Sequence, residues 1–142
     1  MSRLYNVAVV GATGAVGETM LEVLAERQFP IGELYALASE RSVGKMVTCG
    51  DRRLHVQDLA TFDFSQVQIG LFSAGGSVSA EHAPRAAEAG CVVIDNTSHF
   101  RNDDDIPLVV PEVNPGDIAD YRNRGTPGEM ARSIPLTTFL LL

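Results

Sequence analysis

Apolar and polar positions alternate in blocks that divide the N-terminal part of the chain into strands and helices. Val7, Ala8, Val9 and Val10 form an unbroken apolar run, the pattern of a strand buried on both faces. Gly11, Gly14 and Gly17 follow at once, spaced G-x-x-G-x-x-G, and a helical period then begins. Val16, Met20, Val23 and Leu24 recur at i, i+4, i+7 and i+8, with Glu18, Glu22, Glu26 and Arg27 on the other positions. This helix is predicted from about Gly14 to Gln28, ahead of Pro30, because proline disfavours helical geometry in the residue before it. Glu33 to Ala38 reads as the second strand, and Val47–Cys49 and Leu54–Val56 as hairpin arms around Gly50-Asp51-Arg52-Arg53. Phe62 to Ser65 is a connector, Val67 to Phe72 a further buried strand, and Cys91 to Asp95 a β-branched one. Between these two strands Ser79 is a candidate helix cap, Ala83, Ala86 and Ala87 give a close-packing face, and Gly90 ends the helix. Pro84 is expected near its first turn, where a missing N–H costs nothing. Leu108–Val110 reads as a short strand and Pro111–Pro115 as an extended turn, with Ile118 and Tyr121 on one face of a brief helix.

A buried strand, a glycine turn and an amphipathic helix make the opening of a nucleotide-binding βαβ unit. The glycines let the backbone turn tightly and approach a diphosphate seated on the helix N-terminus, where free N–H groups and the helix dipole favour an anion. A glycine turn that merely joins strand to helix is the plainer alternative, but strand before and helix after favour dinucleotide binding. The second strand ends about 20 residues after the last glycine, where the adenosine ribose would lie. Ser39-Glu40-Arg41-Ser42-Val43-Gly44-Lys45 stands there. Glu40 is a candidate carboxylate for the 2′-OH of NAD; Ser39 at the strand end, with Arg41, Ser42 and Lys45, suits the 2′-phosphate of NADP better. A solvated polar loop is the bland reading of the same residues. Ser73-Ala74-Gly75-Gly76-Ser77 is a second small-residue turn at a strand end, the place where an open parallel sheet collects ligands, though loop chemistry alone also explains it. After the CVVID strand, Arg101 lies beside Asp103, Asp104 and Asp105, and taken alone is most simply paired with one of them.

Composition narrows the class. The chain has 142 residues, 45% hydrophobic and 20% charged, ordinary for one globular domain with a real core. Eleven basic against 18 acidic residues leave a net charge of −7, which argues against general nucleic-acid or anionic-membrane binding. No apolar run approaches the ~20 residues of a membrane helix, no signal peptide is read at the N-terminus, and a cytoplasmic location is expected. Cys49 and Cys91 are far apart without C-x-x-C, so no disulfide is expected. His55, His82 and His99 have no metal-ligand spacing, and no metal is expected.

Five segments in order, GATGAVG (Gly11–Gly17), LASERSVGK (Leu37–Lys45), FSAGGSVS (Phe72–Ser79), VIDNTSHFRNDDDIPLVVPEVN (Val93–Asn114) and DYRNRG (Asp120–Gly125), resemble the cofactor domain of aspartate-semialdehyde dehydrogenases. The resemblance covers about the first 125 residues, and Val93–Asn114 is its most specific part. It implies an α/β, Rossmann-like, doubly wound and mostly parallel sheet with helices on both faces. It also implies a homodimeric enzyme of lysine, threonine and methionine biosynthesis, in which a cysteine captures L-aspartyl phosphate and NADPH reduces the thioester to aspartate semialdehyde. By the same resemblance Thr13, Gly14, Ala15 and Val16 would cradle the NADP diphosphate, with Gly11 of the glycine turn also cofactor-binding. Arg41 with Ser42 would hold the 2′-phosphate, beside Ser39 of the strand-end reading above. Ser73, Ala74, Gly75 and Gly76 would line the cofactor near its reactive ring, and Arg101 would bind the substrate phosphate.

The resemblance stops at Gly125. The family continues with a segment like I-I-A-N-P-N-C-S-T, whereas this chain reads Thr126-Pro127-Gly128-Glu129-Met130-Ala131-Arg132-Ser133-Ile134, with Arg132 at the nucleophile's position. Residues 1–125 are therefore taken as an NADP-binding domain and 126–142 as a divergent tail, read as a truncated or frameshifted end. On this reading the chain is a fragment inactive by itself. The alternatives are a non-catalytic NADP-binding module and a related acyl-phosphate reductase of arginine biosynthesis. A short-chain epimerase is excluded, because Tyr121 has Gly125 where Y-x-x-x-K needs lysine.

Overall fold

The computed structural model describes residues 3–99, 108–109, 113–114 and 136–138. Strand β1 (Tyr5–Val10) leads through the glycine turn into helix α1 (Ala15–Glu26) and returns as β2 (Ile31–Ala38). A hairpin follows, β3 (Met46–Cys49) and β4 (Arg52–His55), then a short strand β5 (Gln57–Asp58). Strand β6 (Ile69–Phe72), helix α2 (Gly76–Glu88) and β7 (Val92–Asp95) form the second β-α-β passage. The short strands β8 (Leu108–Val109) and β9 (Leu136–Thr138) complete the sheet. Its order is β5-β2-β1-β6-β7-β9-β8, and every pairing in it is parallel.

Strand β1 is central because its side chains are buried both ways. Ala8 and Val10 pack with Leu37, Phe64, Phe72, Ala83 and Ala87 on the α2 face. Val7 and Val9 pack with Met20, Leu21, Leu34 and Val47 on the α1 face. The period of two along a strand sends alternate residues into two separate cores, so the helices lie on opposite faces of one sheet. This is the expected Rossmann-like, doubly wound architecture.

Several local expectations shift. The hairpin turn contracts to Gly50-Asp51, since Cys49 already pairs with Arg52; Gly50 supplies the positive φ of 59° that a tight hairpin turn demands. Ser79 is not the cap of α2. Gly75 caps it, with no side-chain hydrogen bond, and Ser79 lies buried inside the helix. Because the helix starts at Gly76, Pro84 falls in its interior rather than near its first turn, and its ring nitrogen cannot donate to a carbonyl one turn back. Strand β5 had no sequence signal; two residues are too few to show a period. The stretch beyond residue 125 contributes β9, which lies between β7 and β8. The brief helix expected around Ile118 and Tyr121 lies outside the described residues.

Candidate active-site cleft

The sheet winds outward in both directions from β1: β2 on one side, β6 on the other. The crevice between two such oppositely directed halves is where open α/β sheets bind ligands. Register places three strand ends level there. Val10 pairs with Leu37 on one side and with Phe72 on the other, so Gly11, Ala38 and Ser73 emerge at one edge. Phe72 also pairs with Asp95, which brings Asn96 to that edge, its N–H donating to the Phe72 carbonyl at 2.9 Å.

The first glycine turn is built by backbone. Gly11 has φ +87°, and its N–H donates to the Leu37 carbonyl at 2.8 Å; Gly14 N–H donates to the Gly11 carbonyl at 3.1 Å. Gly14 caps α1 in extended conformation with no side-chain hydrogen bond at the cap. The three glycines have different reasons to be glycine. A Cβ on Gly17 would stand 2.1 Å from the Gly11 carbonyl oxygen, so Gly17 lets the helix close onto the turn. A Cβ on Gly11 would meet Ala74 backbone at 3.0 Å, so Gly11 lets the two small-residue turns touch. A Cβ on Gly14 would meet only ordinary contact, 3.5 Å from the Gly11 oxygen; its bare face is turned to the cleft. This fits a diphosphate that needs close backbone approach.

The second turn is held against the first. Ser73 donates from both N–H (3.0 Å) and Oγ (3.2 Å) to the Val10 carbonyl. Gly75, at φ +98°, has open space where a Cβ would be and begins α2. Behind it lies buried Asp95, which accepts from Ser79 Oγ at 3.0 Å, from Thr97 N–H at 2.9 Å and from Thr97 Oγ1 at 3.0 Å. That carboxylate ties the end of β7 to the first turns of α2.

The resulting cleft encloses about 600 Å³, the size of a small-molecule site. Of the residues singled out from sequence, Gly11, Thr13, Gly14, Ser39, Ser42, Ser73 and Ala74 line it. Ala15, Val16, Arg41, Gly75 and Gly76 do not line its walls, whereas Glu40 does. Arg41 is exposed, on the 3-10 turn Glu40–Ser42 that follows β2. Arg101 and Arg132 lie outside the described residues. One wall was not foreseen: Asp58, Leu59 and Ala60 line it together with Val78, Glu81 and His82 of α2. The i, i+4 spacing of Val78 and His82 was a readable signal for the helical half of that wall; the other half depends on where β5 docks.

Neither thiol reaches the cleft. Cys49 and Cys91 are free and buried. Desolvation raises the pKa of Cys49, partly offset by Arg52, and burial pushes that of Cys91 up to about 12. Among the described residues no cluster of His, Cys, Asp and Glu is arranged for a metal ion, and no helix is long and apolar enough to cross a membrane.

A doubly wound parallel sheet with two touching small-residue turns at its switch point, and with Thr13 and the N-cap Gly14 of α1 lining the cleft, defines a dinucleotide-binding domain. Residues 6–121 match the family described as "Semialdehyde dehydrogenase, NAD binding domain", and the chain belongs to that family. The family's description makes the cofactor class a nicotinamide dinucleotide. The chain is 67% identical over 124 residues to aspartate-semialdehyde dehydrogenase 2 of Vibrio cholerae, a match covering 87% of this chain and 37% of that protein. It is 66% identical over 125 residues to the aspartate-semialdehyde dehydrogenase of Legionella pneumophila, covering 88% and 36%. A crystal structure of aspartate semialdehyde dehydrogenase II from Vibrio cholerae, complexed with ASA, superposes with a TM-score of 0.85 at 60% identity, covering 96% of this chain and 42% of that one. The chain thus spans little more than a third of the length of these curated relatives.

Proposed function

We propose that this chain is the cofactor-binding part of an NADP-dependent aspartate-semialdehyde dehydrogenase, a cytoplasmic, homodimeric enzyme of lysine, threonine and methionine biosynthesis. The observation that carries the proposal is the pair of touching turns at the switch point, in a chain 67% identical to such an enzyme over the whole of this region. When bound, the nicotinamide supplies or accepts the hydride that interconverts L-aspartyl phosphate and aspartate semialdehyde. The chain's own residues bind and orient. Thr13 and Gly14, just ahead of α1, line the cleft where the diphosphate would lie, and Ser73 and Ala74 line it at the end of β6. Arg101 is proposed to bind the phosphate of the substrate, as a guanidinium fork suits a phosphoryl group. A non-catalytic dinucleotide-binding module would use the same cleft without Arg101.

NADP is preferred over NAD on the strength of Ser39, which holds the strand-end position in place of a carboxylate, and of Arg41 and Lys45 flanking Ser42 in the following turn. Glu40 on the cleft wall is the counterweight. Calorimetric titration with NADPH and NADH decides between them. NADPH is expected to bind more tightly, and Arg41→Ala to weaken NADPH by about 1.5–3 kcal/mol, the value of a hydrogen bond to a charged group, discounted toward its lower end because Arg41 is exposed. Equal curves for the two cofactors would rule the preference out, and tighter NADH binding relieved by Glu40→Gln would assign the ribose to Glu40.

A further inference from the structure

The cleft runs from the first glycine turn past Ser39 to the wall formed by Asp58–Ala60 and the Val78–His82 face of α2. If the diphosphate occupies the turn and the adenosine ribose the end of β2, as proposed above, the base falls at that wall. Among the described residues that line it, most are apolar or acidic, and His82 is the one with a ring nitrogen.

The His82 side chain is only 12% exposed, and its orientation is fixed by Arg85. Arg85 Nη2 stands 3.0 Å from His82 Nδ1. A guanidinium carries donors only, so Nδ1 must accept and the ring proton sits on Nε2. Arg85 cannot readily swing away. Its Nη1 donates to the Phe62 carbonyl at 2.7 Å and its Nη2 to the Leu59 carbonyl at 2.9 Å, with the guanidinium 4.8 Å above the Phe64 ring. Among the described residues the recorded neighbour of Nε2 is Glu81 Oε2 at 3.6 Å, too long for a hydrogen bond. Glu81 is itself 75% exposed and can leave. Burial lowers the His82 pKa, and Arg85 acts in the same direction, while Glu81 and Asp58 oppose it. The ring therefore presents a neutral Nε2–H to the cleft at neutral pH.

We propose that His82 reads the purine base of the bound dinucleotide by donating from Nε2 to an acceptor nitrogen on the ring, with Arg85 as the positioning residue that sets the tautomer. This rests on the dinucleotide reading of the cleft. Two substitutions separate recognition from structure. His82→Asn keeps an acceptor near the Nδ1 position for Arg85 but has no donor at the far end. His82→Gln keeps an N–H donor at the Nε2 end.

The experiment titrates the whole chain with 2′,5′-ADP and with NADPH by calorimetry, and follows the imidazole ¹⁵N resonances of His82. His82→Asn is expected to weaken both ligands about 3- to 10-fold, and His82→Gln less than about 2-fold, as befits one neutral hydrogen bond. In the wild type, the ¹⁵N shifts are expected to show the Nε2–H tautomer, and saturation with 2′,5′-ADP to move the Nε2 resonance. A His82→Asn affinity equal to wild type overturns the proposal, as does an Nε2 resonance unmoved at saturation. So does a loss shared equally by the Asn and Gln variants, which marks a structural role. A wild-type chain that takes up neither 2′,5′-ADP nor NADPH overturns the dinucleotide reading itself; uptake indifferent to His82 overturns only this assignment.

Discussion

At the scale of single residues, the glycines of the first turn separate folding from binding. Gly17 has no room for a side chain: its Cβ would lie 2.1 Å from a backbone oxygen. Gly17→Ala is therefore expected to lower stability by about 1–3 kcal/mol, the cost of overpacking, read from the urea midpoint. Gly14 has room, and its backbone is in an ordinary extended conformation, φ −83°. Gly14→Ala is expected to leave stability within about 0.5 kcal/mol of wild type. Its methyl group would project at the cleft, where it should weaken NADPH binding by calorimetry. A Gly14→Ala variant that folds and binds like wild type would show that the ligand does not approach this turn. The same motif thus holds one glycine that packing requires and one that packing would let change, a distinction its letters do not carry.

At the scale of elements, α2 is tied in place from both ends. Near its start, buried Asp95 receives Ser79 Oγ, Thr97 N–H and Thr97 Oγ1. Near its end, Arg85 bonds the Leu59 and Phe62 carbonyls and so holds the Asp58–Ala60 part of the cleft wall against the helix. These long-range ties compensate for a helix that begins at an uncapped glycine and carries Pro84 inside it. Asp95→Ala would strand the Ser79 hydroxyl and the Thr97 amide without their acceptor. It is expected to cost about 1–3 kcal/mol in urea denaturation and to raise hydrogen exchange in the first turns of α2. Unchanged exchange there would show that the carboxylate does not hold the helix.

At the scale of the whole molecule, the cleft holds binding chemistry but no nucleophile from this chain's thiols. Both cysteines are buried away from it, and the pKa of Cys91 is near 12, so almost none of it is thiolate near neutral pH. The 142-residue polypeptide by itself is expected to bind NADPH without phosphate-dependent reduction of NADP⁺ by aspartate semialdehyde. Its native thiols are likewise expected to react slowly with a thiol reagent and quickly in urea. Turnover by the isolated chain at a rate like that of an intact relative would contradict this, as would a substrate adduct trapped on Cys49 or Cys91.

Short-range features made much of this legible. The apolar run of β1, the glycine spacing and the period of α1 are properties of neighbouring residues, and they predicted the βαβ opening, the two turns and the class of fold. Ser39 and Ser42 could be expected at the cleft, whose wall they line, because a dinucleotide's ribose follows the glycine turn at a near-constant chain distance. What the tertiary structure decided lies at long range. That β6 pairs with the opposite side of β1 from β2 is a choice between two free edges, settled by which faces the helices cover. Register then brought Gly11 against Ala74. Ser79 looked like a cap because a serine ahead of a helical stretch usually is one. Its hydroxyl instead serves a carboxylate 16 residues away, a partner no local pattern announces. The wall of Asp58–Ala60 and His82 was hidden for the same reason: a two-residue strand has no period, and a histidine's tautomer is set only by the arginine that folding places beside it.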